Sequence, residues 1–153
     1  MRALEPWVAA PLETFIAESS ARLILLMTTS GQVVAQHGFS RSVEVMTAAA
    51  LGAAIVASTE ELAKIMGTPR FAALVHGGAQ QSCMLSAFGT PRGRWIGLVV
   101  FGGETSVGLV QLFFDQLVEQ LVTAAPREPA AAPPLPQDFE RELNTSLKEL
   151  FGR

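Results

Sequence analysis

The segment VEVMTAAALGAAIVAST, residues 43–59, constrains the fold of this chain more than any other stretch. It carries few polar side chains over several helical turns, and from Ser42 to about Met66 no glycine or proline cluster would end a helix. A helix that is apolar on every side must be buried on every side. Because one sheet covers only one side of it, the sequence predicts a second covering surface.

Small residues in this helix favour a second copy of the chain as that surface. The predicted dimer interface comprises Val45, Ala48, Ala49, Gly52, Ala53 and Val56. Small side chains let another backbone approach closely, and closed two-fold dimers are the commonest oligomers. The alternatives are a different partner protein and an alanine-rich helix that stays half exposed.

Shorter apolar runs predict the remaining elements. A first helix is expected near residues 12–19, followed by a hairpin of strands at 22–27 and 32–38. After the long helix, strand-like runs at 69–78, 81–89 and 94–103 are joined by glycine-bearing turns and predict a meander. A last helix starts at Thr105 or Ser106. Its expected core stripe is Val107, Val110, Phe114, Leu117 and Leu121.

The C-terminal region differs in composition from the globular domain expected over residues 1–125. Residues 126–136 contain five prolines and favour an extended polyproline geometry, which predicts a spacer or, alternatively, a ligand for an aromatic groove. Residues 137–153 predict an amphipathic helix that is too short to be stable alone. Its apolar, partner-binding face comprises Phe139, Leu143, Leu147, Leu150 and Phe151.

Charge and cysteine content exclude several classes of protein. The net charge of −3 and a pI of about 5.4 provide no basic stripe, so no nucleic-acid partner is expected. The single cysteine, Cys83, allows no internal disulfide and fits a reducing compartment. Neither a signal peptide nor a convincing membrane span is predicted, because the best apolar stretch, residues 45–57, is short. The sequence predicts a cytoplasmic protein.

No catalytic, cofactor-binding or metal-binding residues are predicted. The glycine-rich stretch 102–108 resembles a phosphate-binding loop but lacks the lysine that such a loop requires. The two histidines, His37 and His76, have no further ligand at metal-site spacing. Arg92 and Arg94 lie near a predicted hairpin tip, where they either contact an acidic partner or phosphate or are simply solvated.

In this order of elements the chain resembles the roadblock/dynein light chain family. The resemblance covers residues 12–124 and is carried by RLILLMTTSGQVVAQHG, VMTAAALGAAIVASTEELAKIMG, FAALVHGG, RWIGLVVFG and VGLVQLFFDQLVEQLV. It implies an α/β (α+β) fold of order αββαβββα, with a five-stranded antiparallel sheet sandwiched by helices. It also implies a homodimer that pairs the long helices and one meander strand of each copy. The family usually has an acidic residue where Ser30 precedes Gly31 here.

Among roadblock proteins the chain is most similar to the bacterial MglB type, in its size and in its additional C-terminal helix. That type activates MglA, a small Ras-like GTPase, without catalytic groups of its own. The resemblance therefore implies a homodimeric GTPase regulator in cell polarity or motility, whose tail helix contacts the GTPase. The alternative is a non-catalytic scaffold whose tail recruits another protein. The sequence leaves open whether hydrolysis or exchange is stimulated, and whether the tail docks on its own dimer.

Overall fold

The computed structural model of the chain describes residues 6–40, 43–126 and 144–150. The elements follow in the order α1 (Pro6–Ser19), β1 (Leu23–Thr28), β2 (Val33–Gly38), α2 (Val45–Met66), β3 (Leu74–His76), β4 (Ser82–Thr90), β5 (Gly93–Phe101) and α3 (Val107–Ala124). Residues 144–150 are also helical. This order agrees with the predicted succession of helix, hairpin, long helix, meander and helix.

The strands form one sheet in the order β2-β1-β5-β4-β3, and every neighbouring pair is antiparallel. The predicted five-stranded antiparallel sheet is therefore confirmed. β1 lies between β2 and β5, and its uninterrupted apolar run is explained by burial on both faces of the sheet. β2 and β3 form the two edges, so each leaves one side without a strand partner in the described part of the chain.

Helices cover both faces of the sheet, which matches the expected sandwich. Alternate residues of β1 point to opposite faces and divide the interior into two apolar clusters. The α1/α3 side contains Leu12, Phe15, Ile24, Leu26, Met84, Val99, Phe114, Leu117 and Leu121. The α2 side contains Leu23, Leu25, Met27, Ala49, Ala53, Val56, Leu85, Ile96, Leu98 and Val100.

Two glycines allow the helices to lie close to the sheet. A Cβ atom on Gly97 would come within 2.4 Å of the Phe114 ring, so α3 rests its aromatic side chain directly on the β5 backbone. A Cβ atom on Gly52 would lie 3.2 Å from Leu85 and 3.3 Å from Leu98, so α2 also packs tightly, though less closely, on the opposite face. Both contacts depend on the absence of a side chain.

Several element boundaries differ from the sequence prediction. α1 begins at Pro6 rather than near residue 12 and contains Pro11, whose missing N–H removes one helical hydrogen bond without ending the helix. β3 spans three residues instead of the ten expected. Ser42, where the sequence predicts that the long helix begins, lies outside the described residues. The cap is Glu44, whose carboxylate accepts hydrogen bonds from the backbone amides of Met46 and Thr47.

Candidate interaction surface

α2 directs one face toward its own sheet, and this face contains most of the residues predicted for the dimer interface. Ala49, Gly52, Ala53 and Val56 are buried against the α2-side cluster of the same protomer. Val45 and Ala48 are half-buried at the margin of that contact. The small residues therefore seat α2 on the sheet, and a surface that a second protomer can reach must lie elsewhere on the helix.

The opposite side of α2 is apolar and exposed. Met46 is 75% exposed, Leu51 59% and Ile65 82%, and Leu62 and Met66 are also more than half exposed. Large apolar side chains scattered singly on a surface are normal, but a continuous row of them marks a contact site. The long helix thus keeps an uncovered apolar side, which is what its composition predicts for an isolated protomer.

Part of this exposed side forms a shoulder that faces β3. We define the α2 shoulder as Ala48, Leu51, Ile55, Leu62 and Met66, whose spacings of three, four, seven and four residues place them on one side of the helix. Ala48 lies beside residues of the β3–β4 turn, which fixes the direction of this side. The Ala48 end of the shoulder therefore lies beside the β3–β4 turn.

A groove lies between the start of α2, at Ala48 of the shoulder, and the β3–β4 turn. Its volume is about 360 Å³, and Leu98 and Val100 of β5 are among its lining residues. The walls comprise Val43, Ala48, His76, Gly77, Gly78, Gln81, Ser82 and Cys83. The adjacent strand β3 has an exposed Val75 and pairs only with β4 in the described sheet. An apolar helix side, an apolar groove and an open strand edge therefore adjoin one another.

The arginines near the β4–β5 turn have different environments. Arg94 pairs through Nη2 with the carboxylate of Glu60, so it ties the start of β5 to α2. About a third of each side chain is exposed. Arg92 lies on the exposed turn itself, where its backbone N–H donates to the Thr90 hydroxyl. Arg94 thus has a structural partner in α2 of the same chain.

A polar cluster joins four loops at one end of the sheet. Arg22 donates from Nε to Glu104 Oε1 at 2.8 Å, from Nη2 to Glu104 Oε2 at 3.2 Å, and from Nη1 to Gln81 Oε1 at 3.1 Å. Ser40 donates to the same Gln81 oxygen at 2.9 Å. The hydrogen bond from Arg22 lowers the pKa of Glu104, and the bond to Glu104 raises the pKa of Arg22. No local sequence pattern indicates this cluster, because its members are far apart in the chain.

Among the described residues, the histidines and the cysteine do not belong to a group of metal-ligating side chains. Cys83 is half-buried opposite His76 in the β3–β4 register, and burial raises the pKa of its thiol. No group of three or more His, Cys, Asp or Glu side chains within the described ranges is placed to hold a metal ion. His76 and Cys83 line the groove at the β3–β4 turn, and His37 lies in β2.

The described part of the tail keeps its apolar side chains in solvent. Residues 144–150 are helical and exposed along their whole length; Leu147 is 42% exposed and Leu150 78%. The other predicted contacts, Phe139, Leu143 and Phe151, lie outside the described residues, as does the linker after Pro126. The two described leucines are three residues apart and so share one side of the helix.

By length and composition alone, α2 is long and apolar enough to cross a bilayer, and it is the single such helix in the described ranges. One helix of this kind is weak evidence for a membrane span, and here its inner face packs on the sheet of the same protomer. The structure thus gives no clear membrane span.

Solved structures of MglB are similar to this chain over most of its length. Myxococcus xanthus MglB is 25% identical, with a TM-score of 0.70, and the match covers 77% of this chain and 94% of MglB. The gliding protein MglB of Thermus thermophilus is 27% identical, with a TM-score of 0.69, and the match covers 82% and 93%. An MglB with a tetrameric arrangement is also 27% identical, with a TM-score of 0.71 and coverage of 82% and 92%.

A roadblock/LC7 domain from Streptomyces avermitilis shares the fold at 15% identity, with a TM-score of 0.63 over 73% of this chain and 92% of that domain. No protein-family profile and no curated protein matches the chain. The roadblock fold and the similarity to MglB, both expected from the sequence, are thereby confirmed.

Proposed function

We propose that this roadblock-fold chain, which resembles MglB, is a homodimeric regulator of a small Ras-like GTPase of the MglA type. The observation that carries the proposal is the α2 shoulder, an apolar row whose Ala48 end lines an apolar groove at the β3–β4 turn, near the open edge of β3. A second copy of the same chain offers a matching helix and a matching strand edge.

The dimer is built from both elements. Pairing of the two β3 edges continues the sheet from one protomer into the other, since a free strand edge is a template for another strand. The second α2 then lies beside the first and covers the shoulder and the groove. Of the residues predicted from the sequence, Val45 and Ala48 are still available to this contact, whereas Ala49, Gly52, Ala53 and Val56 are buried in their own protomer.

The GTPase binds the outer side of α2, away from the sheet. Met46, Ala50, Ala54 and Ala57 are exposed there, and the small alanines leave room for an incoming backbone. The regulator supplies no catalytic group of its own. It accelerates GTP hydrolysis by ordering groups that the GTPase already has, because holding reacting groups in place lowers the activation barrier without new chemistry.

The tail helix makes a second contact with the same GTPase. Leu147 and Leu150 are exposed and unpartnered among the described residues, so a binding site on another molecule would bury them. Such a bivalent arrangement raises the affinity of the whole complex without enlarging either site. In this proposal the chain acts in the cytoplasm, in cell polarity or motility.

Single-turnover hydrolysis by the MglA-type GTPase of the same genome tests the proposal. The rate is measured with GTP-loaded GTPase, alone and with a saturating amount of the full chain, and acceleration of at least tenfold is expected. The Leu51→Glu variant serves as the matched control, since it should lose dimerisation and with it the acceleration. Binding without any change in hydrolysis or nucleotide exchange would instead support the scaffold alternative.

A further inference from the structure

On the face of the sheet opposite α2, a second groove runs between α1 and α3. Its volume is about 760 Å³. The lining residues are Ala10, Pro11, Thr14, Gln116, Glu119, Gln120, Thr123 and Ala124. Neither the proposed dimer nor the proposed GTPase contact uses this groove. Its lining combines apolar carbon with amide and hydroxyl groups and the Glu119 carboxylate, and it ends at Ala124, where α3 itself ends.

We propose that this groove binds the proline-rich strap of the same chain, residues 126–136, in polyproline II conformation. The strap leaves α3 directly at one end of the groove. Residues 126–132 can reach back by up to about 22 Å, so the sequence PPLP at 133–136 is free to lie along the groove. Those four residues span about 12 Å, and the helical stretch from Gln116 to Ala124 has about the same length.

The chemistry of the groove suits a polyproline ligand. Such a segment has no internal hydrogen bonds, so its carbonyl oxygens need donors, and proline supplies no N–H in return. Gln116 and Gln120 each carry an amide with two donors, and neither side chain bonds another residue in the described part of the chain. They are one turn apart, about 6 Å along α3, so the two side chains can donate to different carbonyl oxygens of one extended segment.

An aromatic side chain, Trp7, lies on the same side of α1 as two of the lining residues, although it does not itself line the groove. Trp7 precedes Pro11 by four residues and Thr14 by seven, so all three lie on one side of the helix. Its ring is half-buried and stacks on Trp95 at 5.8 Å between centroids, which fixes its orientation. Sites that bind polyproline segments commonly pair such an aromatic surface with hydrogen-bond donors. Covalent attachment supplies the strap at a high effective concentration, so even a weak contact is occupied.

Docking of the strap has a consequence for the tail. Residues 144–150 would then leave the protomer on the α1/α3 side of the sheet, opposite α2. That orientation matters for GTPase recruitment only if the proposed function holds, whereas docking itself does not depend on it.

Paramagnetic relaxation in the full chain tests the docking. A nitroxide is attached to Leu135→Cys in a Cys83→Ser background, and the NMR signals of Thr14, Gln116 and Gln120 are recorded with the label oxidised and reduced. These signals should lose most of their intensity to the oxidised label.

The double variant Gln116→Glu with Gln120→Glu should restore them, because carboxylates provide acceptors only and repel the carbonyl oxygens of the strap. Gln111→Glu, which is exposed on another side of α3, is the matched control and should leave the effect intact.

A mixed sample identifies which strap occupies the groove. Isotope-labelled chain without nitroxide is combined with unlabelled chain that carries it. The first comparison sample is the protein in which every chain carries both the isotope label and the nitroxide. If the signals are broadened in that sample but unaffected in the mixed sample, the strap docks on its own chain. Broadening in the mixed sample would assign the groove to the strap of a second copy and overturn the proposal. Full signal intensity in every sample would overturn it as well, whether or not the chain stimulates a GTPase.

Discussion

Leu51 and Ala53 lie two residues apart on α2, yet Leu51 is 59% exposed while Ala53, at 6%, packs on the sheet. Glutamate at the two positions should therefore have different effects. Leu51→Glu places a charge in the proposed dimer contact and should give a folded monomer. Ala53→Glu buries an unpaired charge inside the protomer and should cost about 4 kcal/mol or more, enough to unfold much of the protein.

Light scattering after size exclusion, with thermal melts by circular dichroism, separates the two outcomes. A folded dimer of Leu51→Glu would show that the α2 shoulder is not the interface. A folded, monomeric Ala53→Glu would show that the buried face of α2 takes part in dimerisation after all.

Ala57 tests the assignment of the outer side of α2 to the GTPase. It is exposed, and it lies on the side of the helix away from the shoulder. Ala57→Glu should leave the dimer and its melting temperature almost unchanged but lower the stimulated rate of GTP hydrolysis by about tenfold, equivalent to about 1.4 kcal/mol. Ala57→Ser, which adds little volume and no charge, should retain the stimulation. Equal rates for both variants and the unmodified chain would place the GTPase on another surface.

The order of the elements was predictable because each strand and helix has its own local apolar pattern. The orientation of α2 was not, because residues 43–59 are apolar on every side and their periodicity gives no direction. Ala49, Gly52 and Ala53 were predicted at the dimer contact, yet they seat α2 on its own sheet. Gly52 shows the cause: a Cβ atom there would lie 3.2 Å from Leu85 and 3.3 Å from Leu98, so the glycine favours close packing of the helix on its own sheet.

Contacts between distant parts of the chain also left no local signal. Arg22 and Glu104 are 82 residues apart and form two hydrogen bonds. Neither residue stands out in the sequence, since exposed arginine and glutamate are common in loops. The groove between α1 and α3 likewise exists only because two sequence-distant helices lie side by side. Such features depend on the topology of the sheet rather than on any one segment.

Gly97 is the position at which a single methyl group should disturb the core most directly. The Cβ atom of Gly97→Ala would lie 2.4 Å from the Phe114 ring, so the ring or α3 must move. The expected loss is about 1–3 kcal/mol in the free energy of unfolding, measured by urea titration. Gly108→Ala is the matched control. It lies in α3 with open space around the new Cβ atom and should stabilise the helix by up to about 1 kcal/mol. Equal stabilities for both variants would contradict the close contact.

Glu44 should make the stability of α2 depend on pH. Its side chain accepts hydrogen bonds from Thr47 and Met46, and these lower its pKa below the ordinary value of 4.5. A lowered pKa in the folded state means that the ionised cap stabilises the protein above about pH 4.5, and that this contribution disappears as the pH falls through the lowered pKa.

Glu44→Ala should lower the melting temperature at pH 7, by less than Gly97→Ala does, and the difference should shrink in acid. Glu44→Gln keeps an acceptor but cannot titrate. If the penalty of Glu44→Ala were the same at pH 3 and pH 7, the charged cap would not be its cause.

Leu147 and Leu150 should contribute to GTPase affinity without contributing to the dimer. Both are exposed in the free chain, and full burial of a leucine side chain is worth about 1.5–3 kcal/mol. Replacing both with alanine should therefore weaken binding by about tenfold or more, because each factor of ten corresponds to about 1.4 kcal/mol. Glu149→Ala lies on the opposite side of the same helix and should change affinity little, since an exposed charge contributes weakly.

Fluorescence anisotropy with GTPase bound to a non-hydrolysable GTP analogue measures the affinities, and light scattering checks that all three proteins have the same oligomeric state. A double variant that binds normally would remove the tail from the GTPase contact. One that loses its oligomeric state would show instead that residues 144–150 belong to the dimer.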